Sequence, residues 1–375
     1  VTETVGHNNR KRILWIDLFR GFVLIVVLID HVELLNDVHC LATWTPQSLG
    51  FADAAEGFVF LSGYSFALTS KRRLAHRGLL RTLLYATKKS LQIYLAYLMT
   101  VAAALTFGLA FKGFSPSLME HLHLTSPLPE QFLGALKLSN HPYGFAILPF
   151  YVLALPYGTL IAYLLRRQAA LALSITFGLY LAAYFIPNFN FSATYQEDWF
   201  FNPFSWQFLF ALGILSSTYG SRIPRKIHLP LTTLSAAVVV AGILYHKVPF
   251  AWTAITGLTF DSLSEVLEPY LAKTTLSPLR LLHFMSVAWL LSTLVKSDSG
   301  LTHWTCQWVV HIGQRSLFFY SASLLLSFMS VLAIQACGTS TLSVILIHID
   351  LLAIAYFLSI GWKKVDGSEQ AETVT

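Results

Sequence analysis

The sequence predicts an all-α, polytopic transmembrane helical bundle of about ten spans, and three observations carry that prediction. Of its residues, 55% are hydrophobic and only 12% are charged, against roughly 25% charged in soluble domains. Mean hydropathy is +0.59. Apolar runs long enough to cross ~30 Å of hydrocarbon recur from one end of the chain to the other. The runs are too long and too uniformly apolar for the alternating strands of a barrel, and lipid cannot satisfy a free backbone, so helices are expected.

In chain order the expected spans are Ile13–Leu35, Phe51–Thr69, Leu91–Phe111, Tyr143–Leu165, Leu171–Ile186, Pro203–Tyr219, Leu229–Tyr245, Leu279–Val295, Ser316–Ile334 and Thr341–Ile360. They form one domain over 1–375, with a short cytoplasmic N-terminus at 1–12 and a cytoplasmic tail at 363–375. Asp17 and Arg20 interrupt the first run and no small-residue cleavage site follows, which predicts an uncleaved span rather than a signal peptide. Most of the 25 Lys and Arg residues fall on connections that share a side with Arg10-Lys11-Arg12. That bias predicts both termini inside. The outer loops near 36–50, 112–142, 187–202 and 246–278 are richer in Pro, Asn, Trp and Tyr, which makes the outer face the larger one.

The net charge of +6 is spread over short inter-span segments, so it reads as topology and excludes nucleic acid as a partner. Cys40, Cys306 and Cys337 are too scattered for a disulfide framework or a zinc set, and His121 and His123 lack further ligands at metal spacing. No metal is expected.

Polar residues inside apolar spans carry the functional signal, because each costs several kcal/mol unless paired or hydrated. The first span holds Asp17, Arg20, Asp30, His31 and Glu33. Arg20 and His31 are eleven residues apart, hence about 20° apart in azimuth and about 16.5 Å in height, facing one groove. Asp30 points about 100° away from that line. The second span opens with Asp53 and Glu56, one turn apart, and is expected to bring a carboxylate to His31, making it a general base. Ser62-Gly63-Tyr64 falls near mid-membrane, where glycine permits close backbone approach. Arg280 and His283 could bind an acceptor or anchor a helix at the interface. His348 and Asp350 suggest a structural polar pair. The basic run Lys71–Lys89 fits an inner anchor, or the site of a nucleotide-bearing donor.

The segments IDLFRGFVLIVVLIDH (Ile16–His31), FADAAEGFVFLSGY (Phe51–Tyr64), LQIYLAYL (Leu91–Leu98), FNPFSWQFLFALG (Phe201–Gly213), LSPLRLLHF (Leu276–Phe284) and GQRSLFFYSASLLLS (Gly313–Ser327) together resemble the OpgC family. These are inner-membrane succinyltransferases of osmoregulated periplasmic glucans. The Arg20–His31 pattern is similar, more distantly, to the broad membrane acyltransferase superfamily. The resemblance implies His31 as catalytic base, for which the helix geometry offers Glu56 and Asp53 as partners, and Arg20 along the path of an acyl-CoA donor, succinyl-CoA foremost. It implies no tightly bound cofactor, and as partners the bilayer and a periplasmic glucan. Donor contacts are expected from Arg20, Ser62, Tyr64, Lys88, Lys89 and Gln92, and acceptor contacts from Trp206, Gln207, Arg280 and His283. Ser62, Gln92, Trp206 and Gln207 are also the candidate oxyanion donors. Two other functions fit the same residues: a transporter or flippase of a glycan or charged lipid, and an acetyltransferase acting on another polysaccharide. Oligomeric state is left open by the sequence.

Overall fold

The computed structural model describes residues 14–112, 115–124, 127–193, 198–248, 260–295 and 304–372. The expected N-terminal segment 1–12, with Arg10, Lys11 and Arg12, and residues 373–375 of the expected tail lie outside the described residues, as do Lys296 and the side chains of 361–372. The described residues are all-helical apart from turns and one isolated bridge between Ser192 and Asp198.

Every expected span falls on a helix. These helices are α1 (Leu14–Asn36), α3 (Ala54–Ala110, holding the second and third), α6 (Ile147–Arg167), α7 (Ala169–Phe185), α8 (Pro203–Tyr219), α9 (His228–Lys247), α11 (Pro278–Leu294), α13 (Ser316–Cys337) and α14 (Thr341–Glu372). Five of them, α3, α6, α9, α13 and α14, are long and apolar enough to cross a membrane, while α7 and α11 are shorter apolar helices. Short helices occupy the connections: α2 (Pro46–Leu49), α4 (Pro116–His121), α5 (Leu128–Leu136), α10 (Phe260–Leu271) and α12 (Trp304–Gln314).

The basic connection from Lys71 to Lys89 is itself helical, so α3 runs for 57 residues, about 85 Å if straight. It is not straight. Gly78 adopts φ +72° and ψ 180°, and the Arg73 guanidinium lies 3.6 Å over the Tyr85 ring. Residues twelve apart on an unbroken helix stand about 18 Å apart along its axis, so the two arms fold back on each other at Gly78, where glycine tolerates a positive φ.

Small residues set the closest helix approaches. A Cβ at Gly63 would overlap the Phe210 carbonyl, and one at Gly213 the Phe60 carbonyl, which joins α3 to α8 backbone to backbone. The same reciprocal contact joins α1 to α12, where a Cβ at Gly21 would meet the Val309 carbonyl and one at Gly313 the Asp17 carbonyl. Because the obstacle is backbone, Gly313→Ala is expected to destabilise by about 1–3 kcal/mol, read as a lowered midpoint in thermal denaturation in detergent. An unchanged midpoint would show that the two helices can separate at no cost. Between these contacts the interior is filled by Tyr97, Phe145, Phe150, Trp206, Phe210, Phe319 and Phe328.

Candidate active site

His31 sits near the C-terminal end of α1, on the face toward α13. Its ring meets Tyr143 edge-on at 5.6 Å and Tyr320 at 6.5 Å, and its Nδ1 has no hydrogen-bond partner. The Tyr320 hydroxyl donates to the Gly144 carbonyl. Gly144 has φ +84°, and a Cβ there would come within 3.2 Å of the His31 Cε1, so glycine is required both for conformation and for ring clearance.

The imidazole borders a cavity of about 480 Å³ shared with Asp30, Gln47, Asp53, His141, Lys273 and aromatic rings. Asp30 therefore does reach the site, contrary to its azimuth on an isolated helix: α2 folds back over the end of α1, and Gln47 Nε2 donates to Asp30 Oδ1 at 3.0 Å. Glu33 has a different task. Its carboxylate accepts the backbone N–H groups of Cys40, Leu41 and Ala42 at 2.8, 2.5 and 2.9 Å, fixing the turn that carries α2 back.

Asp53 and Glu56 are spent elsewhere than on His31, which corrects the expected pairing. Asp53 caps α3, its Oδ1 accepting from Ala55 N, while Glu56 Oε2 accepts from Asp53 N, a reciprocal capping box. Their remaining oxygens take two cations. Lys273 Nζ lies 2.5 Å and Arg280 Nη2 2.9 Å from Asp53 Oδ2, and Arg280 Nε donates to Glu56 Oε1 at 2.6 Å. Glu56 is fully buried, so this four-membered cluster is a structural pin in which both carboxylates are saturated. Lys273, however, also lines the cavity and presents a positive charge beside His31.

A second space, about 550 Å³ and walled by α1, α3, α9 and α11, is almost wholly apolar. Trp15, Phe19, Tyr64 and Leu291 lie along it. His283 borders it beside Gly50, and Asp53 and Ala54 wall both this groove and the His31 cavity.

A family model described as OpgC protein matches residues 12–366, nearly the whole chain. The chain belongs to the OpgC family. Comparison with curated proteins and with solved structures gives no match. Membership suggests an OpgC-like modification of glucans by a transferase.

In this OpgC chain the remaining expected residues divide sharply. Arg20 and His31 do face the same helix, α13: Arg20 Nη2 donates to Ser316 Oγ at 2.7 Å, one turn from Tyr320. Between them Phe58 stacks on Tyr320 and meets Tyr151 edge-on, and the Tyr151 hydroxyl donates to Ser62 Oγ at 3.2 Å. Lys88, Lys89 and Gln92 are exposed on the second arm of α3 and do not line the cavity. Trp206 and Gln207 are buried, and their donors satisfy backbone. Gln207 Nε2 bonds the Thr176 and Phe204 carbonyls, and Trp206 Nε1 bonds those of Lys273 and Thr274. Trp206 thus acts on the site at one remove, by fixing the turn that delivers Lys273. His283 is buried, neither ring nitrogen bonded, wedged at Gly50 and Gly242 on the apolar groove rather than in the His31 cavity. His348 turns to Glu33 at 3.8 Å while Asp350 is exposed, so these two are not a pair.

Lys273, His141, Tyr143 and Gln47 are the cavity residues that periodicity missed, since all four lie outside the regular spans or at their edges. Segment 139–143 is strapped in place: Tyr97 donates to the Asn140 carbonyl at 2.5 Å, Asn140 N to the Gly134 carbonyl at 3.1 Å and Tyr143 N to the His121 carbonyl at 3.1 Å. His141, in this loop, is pushed down to about 4, chiefly by burial and secondarily by His123, so it is neutral at physiological pH.

Proposed function

We propose that the chain is an O-acyltransferase that moves a succinyl group from cytoplasmic succinyl-CoA to a hydroxyl of a periplasmic glucan, using His31 as general base. The observation that carries the reading is the His31 imidazole, without a hydrogen bond at its buried Nδ1, at the wall of a cavity that Lys273 also lines. His31 takes the proton of the sugar hydroxyl, and the oxygen attacks the thioester carbonyl. Lys273 stabilises the oxyanion. The C–S bond then breaks, and the departing thiolate recovers the proton from His31. The acyl arm approaches along the apolar groove that Asp53 and Ala54 share with the His31 cavity, while Arg20, turned to Ser316 on α13 and lining neither space, steadies α1 on the donor side. In this reading the bundle has ten spans in the inner membrane, both termini are cytoplasmic, and the cavity opens to the periplasm.

The test uses the full chain in lipid nanodiscs with labelled succinyl-CoA and glucan. The expected result is CoA release coupled to a glucan mass gain of one succinyl group per site. Gain of an acetyl group from acetyl-CoA alone would reject succinyl as the group moved. Passage of unmodified glucan across proteoliposomes with no need for CoA would reject transfer altogether.

A further inference from the structure

His141 is a buried titratable group on the cavity wall with no part in the chemistry above. His141 is 4% exposed, and neither of its ring nitrogens has a hydrogen-bond partner. An imidazole carries one donor and one acceptor in its neutral form, and leaving both unmade in a buried position costs about 1–3 kcal/mol each. His348 escapes part of this cost through Nδ1, bonded to Val344 O at 2.7 Å, whereas His283, also unbonded, borders the apolar groove and not this cavity. His141 has no such bond, yet its placement is rigid: its ring packs edge-on against Trp199 at 5.2 Å and 87°, and its loop is held on both sides by the backbone bonds of Asn140 and Tyr143. An imidazole fixed at this cost in the wall of a cavity is suited to binding a ligand there.

The rest of the wall states what that partner is. Gln47 offers the part of its amide that Asp30 does not take, Tyr143 and Phe200 offer ring surfaces, and Asp30 and Lys273 line the same wall, bonded to Gln47 and Asp53 respectively. Imidazole and amide groups beside aromatic faces suit a ligand with many hydroxyls and an apolar ring face.

We propose that His141 and Gln47 form a subsite for one pyranose ring, gripping its hydroxyls so that a neighbouring hydroxyl is presented to His31. The assignment rests on the acyl-transfer reading for its purpose but not for its detection. His141 is here a binding residue, distinct from the base.

The experiment measures equilibrium binding of a fluorescent gluco-oligosaccharide to the full chain in nanodiscs, together with the rate of succinyl-CoA turnover. His141→Phe is expected to weaken oligosaccharide binding at least tenfold and to raise the acceptor KM, with the donor KM unchanged. His141→Gln, which keeps a donor and an acceptor, is expected to recover most of the binding. Gln47→Leu supplies the second wall, should the phenylalanine variant fail to fold, and is expected to weaken binding several-fold. Wild-type affinity in both His141→Phe and Gln47→Leu would overturn the subsite, as would a change confined to the donor KM. Oligosaccharide binding that depends on His141 in a protein that never consumes acyl-CoA would support the subsite and overturn acyl transfer, so the two failures are distinguishable.

Discussion

Replacing His31 by alanine lowers acyl transfer by roughly 10²–10⁴-fold, the range that a positioned general base contributes. The loss is expected in the chemical step, with donor binding retained, because the imidazole lines the cavity while its ring makes edge contacts with Tyr143 and Tyr320. Truncation removes little packing, so the variant should remain folded, with a thermal midpoint close to that of the wild type. The decisive measurement is the initial rate of label transfer to glucan beside an independent measurement of CoA binding. Full activity in a folded His31→Ala protein would remove His31 as base and turn attention to the other titratable groups of the cavity, Asp30, Asp53, His141 and Lys273.

The largest effect on stability is expected at Arg280. This side chain bonds Asp53 and Glu56 together across two helices, and Glu56 has no solvent to fall back on. Arg280→Met leaves a buried carboxylate uncompensated, which costs about 3–5 kcal/mol. Asp53 loses less, since Lys273 still neutralises it. Pairing the change with Glu56→Gln removes the orphaned charge and should restore much of the midpoint in thermal denaturation. Were the double variant no more stable than Arg280→Met, the cost would lie in lost packing rather than in charge burial. Activity should fall in Arg280→Met as well, because the Asp53 cap and the Lys273 turn share the cavity wall.

How far the sequence reveals such a protein depends on whether a residue's signal is periodic. Apolar runs located the long helices of the bundle but not α12, which packs on α1 through Gly21 and Gly313, and the eleven-residue spacing placed Arg20 and His31 toward the same neighbour, α13. Gly63 was legible too, because close approach in a membrane needs a small residue. Asp30 reaches the cavity despite its azimuth because the chain returns overhead as α2 with Gln47, which no helical wheel contains. Asp53 and Glu56 misled for a related reason: their spacing suits a shared face and a capping box equally, and only the fold reveals that Arg280, 224 residues from Glu56, consumes what the box leaves over. Trp206 and Gln207 drew notice as polar groups in an apolar run, but buried donors more often satisfy backbone than bind substrate. His141 and Lys273 lie in turns without periodicity, and only their placement around the cavity reveals them.

That long separation also has a consequence in time. Glu56 is made and enters its helix 224 residues before Arg280 is synthesised, an interval of roughly 10–45 s at 5–20 residues per second. Until then its carboxylate has no guanidinium to meet, so the nascent helix must hold that residue protonated or at the water boundary. The first arm of α3 can settle to its final depth only when α11 arrives. Assembly of the active face is thus a late event in the biogenesis of the chain, gated by the delivery of one side chain.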